Sequence, residues 1–171
     1  MKIEKRWIIS FIIISLVSIT ALFWPEQTSL PKPGTFLGEE DIVGSDVAWI
    51  LASSGLVLLM TPGLSFFYGG MVGKKNMIST MLQSFIALGV ISILWVVVGF
   101  SLSFGESIGI TINGQHYGLI RNPTTYSFFN NVGVLPHSQL ASTVPFVLFA
   151  MFQMKFAVIT PALITGSFAE R

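Results

Sequence analysis

Phe149, Phe152 and Phe156 recur at i, i+3 and i+7 within the apolar segment 143–168, so one helix face carries three phenyl rings. Ring faces attract cations, and inside a membrane such a stripe can hold a small cation without a full counter-charge. The same spacing is also what simple packing produces, because aromatic stripes at helical periodicity are mostly core. Gln153 lies beside the stripe and adds an amide. Lys155 falls near the midpoint of the segment. A lysine at a helix centre costs roughly 2.5–3.5 kcal/mol, which the neighbouring Leu, Ile, Phe and Val residues offset at roughly 0.3–0.6 kcal/mol each. The helical step of about 100° turns Lys155 off the Phe156 direction. It points instead to a carbonyl, a water-filled gap or a carboxylate on a helix absent from this chain. Glu106 stands where another apolar run ends, and by itself reads as a solvated carboxylate at the membrane edge.

These groups need long apolar elements to hold them, and the composition supplies those. Hydrophobic residues make up 52% of the chain and charged residues 10%, against roughly 25% charged in soluble domains. The class is therefore membrane-embedded. A net charge of +1 gives no reason to expect a nucleic acid partner. Without cysteine there are no disulfides or thiolate metal sites. His116 and His137 both fall in a predicted loop, which argues against a histidine metal centre, and no cofactor is expected. No nucleophile–base pair or phosphate loop suggests an enzyme.

Four spans of the required ~20 apolar residues can be marked, at 7–24, 47–72, 77–104 and 143–168. In lipid such runs satisfy their backbone as helices. The expected fold is an all-α integral membrane protein, a polytopic helical bundle. Lys2, Lys5 and Arg6 precede the first span, Lys74 and Lys75 separate the second from the third, and Arg171 follows the fourth. These are alternate ends, so the positive-inside rule places them all in the cytoplasm. Residues 1–24 read equally as a signal peptide or as an extra N-terminal transmembrane helix. Residues 25–45 read as an extracytoplasmic linker, with Glu26, Glu39, Glu40 and Asp41 against Lys32. Residues 46–171 are the membrane domain. Its 105–142 connection, rich in Gly, Asn, Ser and Thr, reads as an exposed loop with turn chemistry at Asn113-Gly114 and Asn122-Pro123. In the second span Pro62-Gly63 suggests a kink, and Gly69 and Gly73 stand at GxxxG spacing for close helix packing.

Three strings are specific. Thr61-Pro-Gly-Leu-Ser-Phe-Phe-Tyr-Gly-Gly-Met71, Trp95-Val-Val-Val-Gly-Phe-Ser-Leu-Ser-Phe-Gly-Glu106 and Phe152-Gln-Met-Lys-Phe156 with its flanks resemble the first three core helices of the ammonium transporter family (Amt/Mep/Rh). The resemblance runs from about Asp46 to Arg171 and is weakest over 108–140. It implies a helical bundle of two inverted halves, assembled as a homotrimer in the inner or plasma membrane. The substrate it implies is ammonium or ammonia, with methylammonium as analogue, and a cytoplasmic P-II-type regulatory protein joins the implied partners. By the same resemblance Phe152 flanks an outer cation site, Gln153 lies near it, Phe156 is a gate ring, and Glu106 favours cations over anions at the mouth. The family's pore histidines, its outer-site tryptophan and serine, its second gate phenylalanine and its structural aspartate belong to segments beyond those matched. The resemblance thus implies a fragment or a truncated protein. Two other functions fit the same residues: an ammonium-sensing membrane module of a signalling protein, and a non-transporting membrane scaffold.

Overall fold

The computed structural model describes Ile12, Leu16 and residues 34–112 and 115–167, with the backbone alone at 110–112, 115–117 and 119. The chain divides into two units, Met1–Leu30 and Pro31–Arg171. In the first, Ile12 and Leu16 are helical. The rest of the 7–24 span lies outside the described residues.

In the second unit three helices are long and apolar enough to cross a membrane: Gly44–Met71, Met77–Phe104 and Phe146–Ser167. Helix α1 is Gly44–Met71. It packs antiparallel on α2, Met77–Leu94, across a short turn holding Lys74 and Lys75. A π turn, Trp95–Gly99, continues α2 into the short helix α3, Phe100–Phe104. Helix α4, Phe146–Ile164, ends in a 3-10 turn, Thr165–Ser167. α4 contacts both α1 and α2.

The polarity of this bundle is inverted relative to a soluble protein. α1 buries Ser54, Thr61, Ser65 and Gly69, while Leu56, Leu59, Phe66 and Phe67 stay exposed. α2 buries Thr80 and Ser84 and exposes Ile78, Leu82, Ile86 and Ile93. Lipid tails are as apolar as leucine, so large side chains gain nothing by turning inward, and close backbone approach favours small ones. The Ser65 hydroxyl donates to the Met81 carbonyl at 2.9 Å. A Cβ on Gly69 would lie 2.6 Å from Met81 Cγ, so this glycine is the contact point of α1 with α2. Gly73 lies beyond the end of α1. Its spacing from Gly69 is therefore not a helical GxxxG face, a correction to the sequence reading. Pro62 sits inside α1 without ending it.

The 105–142 connection differs from an open loop. Strands β1 (Ser107–Ile112) and β2 (Gln115–Arg121) pair antiparallel, with an irregularity between Ile108 and Gly109. Ile108, Ile110 and Ile112 alternate with period two, which is the strand signal that the polar composition masks. Asn113-Gly114, the expected turn, lies outside the described residues. Asn122-Pro123 does turn the chain. The Asn122 side-chain oxygen accepts from the Thr124 backbone N–H at 3.0 Å and from its hydroxyl at 2.8 Å.

Beyond the hairpin the connection folds back as a cap over the helix ends. Phe100 and Phe146 are wholly buried, with Tyr126, His137 and Ala141 close to it. Phe128, Phe129 and Asn131 adopt left-handed backbone. That strain costs about 1–3 kcal/mol per residue and is offset by packing, because the turn brings the Phe129 ring to 5.6 Å from Phe100. α4 begins at Phe146, inside the apolar run that starts near 143. Val144 precedes a proline, which disfavours helical backbone, and the Thr143 carbonyl instead accepts the Val43 N–H at 2.9 Å.

Candidate functional site

Phe152 and Phe156 occupy successive turns of α4, and their rings meet edge to face at 5.1 Å and 77°. Phe156 is 43% exposed, so its ring is open on one side. Gln153 and Phe152 are half-buried beside it. Phe149, the third ring of the stripe, is committed elsewhere. It stacks on Phe146 at 6.2 Å and meets Phe104 edge-on at 5.2 Å. The stripe thus divides into an anchoring ring and a pair with one open face.

Lys155 takes the carbonyl option. Its Nζ donates to the Met151 carbonyl, one turn back on its own helix, at 3.0 Å. The bond holds the ammonium along the helix flank and toward the N-terminal turn, as the tilt of helical side chains favours. Thr160 likewise donates to the Phe156 carbonyl at 2.9 Å.

Glu106 stands two residues past the end of α3, after Gly105. Ser101, fully buried, accepts the Tyr126 N–H at 2.9 Å and donates to the Asn122 carbonyl at 2.8 Å, locking the helix end to the cap. Arg121 Nη1 donates to the Gly105 carbonyl at 2.9 Å. The Glu106 N–H donates to the Thr125 hydroxyl at 3.2 Å. The carboxylate borders a cleft of about 480 Å³ that Phe104, Arg121, Tyr126 and His137 also line. Glu106 is therefore not beside the Phe152–Phe156 pair. It is connected to the stripe through Phe104, two residues before it, whose ring touches Phe149.

Sequence reasoning left His137 as a loop residue. The structure buries it among Phe36, Phe146 and Tyr126. Its Nδ1 accepts the backbone N–H groups of Gln139 and Leu140, both at 3.2 Å. That nitrogen must be unprotonated, so Nε2 carries the hydrogen toward the Tyr126 hydroxyl at 3.3 Å. Burial holds the imidazole pKa below its ordinary 6.5, with a backbone hydrogen bond opposing weakly. Burial also raises the Tyr126 phenol, and the Glu106 charge adds to that. Among the described residues the ionisable groups on the elements around the ring are Tyr126, Glu106 and Arg121. Between the lowered folded pKa and 6.5 the unfolded chain binds more protons than the folded one, so stability falls as pH drops through that window. His137→Asn, which keeps an acceptor without titrating there, should flatten this dependence. Amide protection factors of residues 137–141 measured between pH 7.5 and 5 check it. Equal pH dependence in His137→Asn and the parent would show that another group is responsible.

Comparison with known proteins bears on the same region. A model of the Ammonium Transporter Family matches residues 48–171. The chain is 44% identical over 139 residues to an ammonium transporter of Mycobacterium tuberculosis, covering 75% of this chain and 28% of that protein. It is 42% identical over 126 residues to the ammonium transporter of Bacillus subtilis, covering 74% and 28%. With ammonium transporter Amt1 of Archaeoglobus fulgidus the identity is 41% over 126 residues, covering 74% and 27%. The chain thus spans less than a third of the length of these curated relatives. With the match extending over 48–171 and all three membrane-length helices overlapping it, the chain belongs to the Ammonium Transporter Family.

Proposed function

We propose that this segment forms the mouth and first gate of an ammonium-conducting path, with Phe152 and Phe156 as its aromatic cation site. The observation that carries the reading is the edge-to-face pair at 5.1 Å with one ring left open, midway along a membrane-length helix. A desolvated cation–π contact contributes about 2 kcal/mol or more, enough to concentrate a small cation. Gln153 adds a polar group next to the pair. Glu106, in its cleft at the end of α3, favours cations over anions at the approach. Ammonium suits such a site because it is small enough to meet ring faces and can lose a proton further in. Potassium is of similar size and cannot, so discrimination falls to the later path. The Met151 carbonyl holds the Lys155 ammonium along the flank of its own helix.

In this reading the cap and Glu106 face outward and Lys74–Lys75 face the cytoplasm, as the basic residues favour. Assembly as a homotrimer, the inner or plasma membrane as location, and contact with a P-II-type regulator rest on the family resemblance alone. The division into residues 1–24, a linker over 25–45 and a membrane domain over 46–171 is part of the same proposal.

The test is transport by the whole protein in proteoliposomes. Saturable methylammonium uptake that ammonium inhibits is the expected result, and in intact cells a single cysteine at Asn76 should be labelled by an impermeant reagent only after permeabilisation. Ammonium binding without flux would indicate a sensing module, and neither binding nor flux a scaffold. Labelling of a cysteine at position 76 from outside intact cells would overturn the orientation.

A further inference from the structure

We propose that Trp95 is a positioning residue for the Phe152–Phe156 pair, and that the π turn is the device that brings it there. The proposal rests on the reading of that pair as the cation site, but its geometric part stands independently. In an unbroken α-helix Trp95 and Phe104, nine residues apart, would point about 180° from one another. The extra residue that a π turn accommodates reduces this to about 80°, and brings Trp95 and Phe100 to about 40°. The turn is closed by the Phe100 N–H donating to the Trp95 carbonyl. All three rings consequently meet on one side: Trp95–Phe100 at 5.8 Å, Trp95–Phe104 at 6.4 Å and Phe100–Phe104 at 5.2 Å.

That side faces α4. The Trp95 indole N–H donates to the Ala150 carbonyl at 3.1 Å, and the bond is buried. Ala150 is fully buried and stands between Phe149 and Phe152. A helix carbonyl has a second lone pair beyond its own helical bond, so the indole can hold it without breaking the α4 ladder. The bond fixes α4 in rotation at the level of the stripe. With side chains a helix has a radius of about 5–6 Å, so a rotation of about 20° would carry a phenyl ring roughly 2 Å sideways. Such a shift is large compared with the fit of a small cation between rings. Gly99 keeps the seat open, since a Cβ there would lie 3.2 Å from Trp95 Cε3 and 3.3 Å from the Leu94 carbonyl oxygen. The alternative is that Trp95 is only core, packed against Phe100 and Phe104.

Trp95→Phe separates the two, because it keeps an aromatic ring and removes the N–H. Gly99→Ala is the second variant, since it crowds the indole from behind while leaving the N–H in place. Both are made in the whole protein in lipid nanodiscs, with 4-fluorophenylalanine replacing Phe156 and its ¹⁹F resonance recorded without substrate. Methylammonium uptake is measured in parallel, with each variant also combined with Phe156→Ala. A displaced or broadened resonance is expected in both variants. The apparent KM or maximal rate should change about two- to tenfold, and this change should vanish in the Phe156→Ala background. An unmoved resonance with unchanged uptake would overturn the proposal and leave Trp95 as packing, even if thermal stability falls. A moved resonance in a protein that transports nothing would support the positioning role while refuting the ammonium reading on which its purpose rests.

Discussion

Phe156→Ala is expected to reduce high-affinity methylammonium uptake by the whole protein about 30-fold, or to make the path leak other cations. The figure follows from a desolvated cation–π contact of about 2 kcal/mol. The Phe156 ring is the open member of the pair, so truncating it removes the contact with little loss of packing. Phe66, 65% exposed on α1, is a suitable control, because Phe66→Ala removes an exposed phenyl ring from a different helix. Uptake and selectivity over potassium are compared at equal membrane expression. Wild-type kinetics in Phe156→Ala would return Phe152 and Phe156 to the status of packing residues.

Phe146→Ala should act on stability, and strongly. Its ring is fully buried and meets Phe36, Phe100, Tyr126, His137 and Phe149 at centroid distances from 4.8 to 6.2 Å. Truncating a buried phenylalanine costs about 3–5 kcal/mol, and most where the walls cannot close over the cavity. Here the walls are rigid rings contributed by separate segments, so the upper part of that range is expected. Thermal unfolding in nanodiscs, with amide exchange over the cap, measures it. A loss under 1 kcal/mol, on the order of an exposed substitution, would show that the aromatic cluster does not hold the cap.

The contrast between these two phenylalanines marks where the sequence was legible. The second and third spans stood out because long runs without a single charge have few alternatives to a membrane helix, and Met77–Phe104 is found at its expected limits. The Phe152–Phe156 pair was legible from spacing, since it depends on one helix only. Phe149 was misleading, because its partners Phe104 and Phe146 are set by tertiary packing and not by its own helical face. The π turn left no periodic signal, as its effect is to break the period. The cap was hidden for another reason. Its core is assembled from Phe36, Tyr126, His137 and Phe146, far apart in the chain, while the residues between them are those of an ordinary turn. Lys155 was readable as a difficulty but not as a solution, since three destinations were open and the folded chain selects the Met151 carbonyl.

The inverted polarity of α1 and α2 has a consequence for how this protein can vary over generations. In a soluble core the bulky apolar positions are the intolerant ones. Here Leu56, Leu59, Ile86 and Ile93 stand exposed on the outside of the helices, and wherever such a position meets lipid one greasy side chain serves about as well as another. Stringency passes instead to the buried Ser65, Gly69, Thr80 and Ser84; at Gly69 an added Cβ would lie 2.6 Å from the Met81 side chain, which would have to move. Drift should therefore accumulate on the large residues and stall at the small ones, so that the most inconspicuous side chains record the ancestry of this bundle longest.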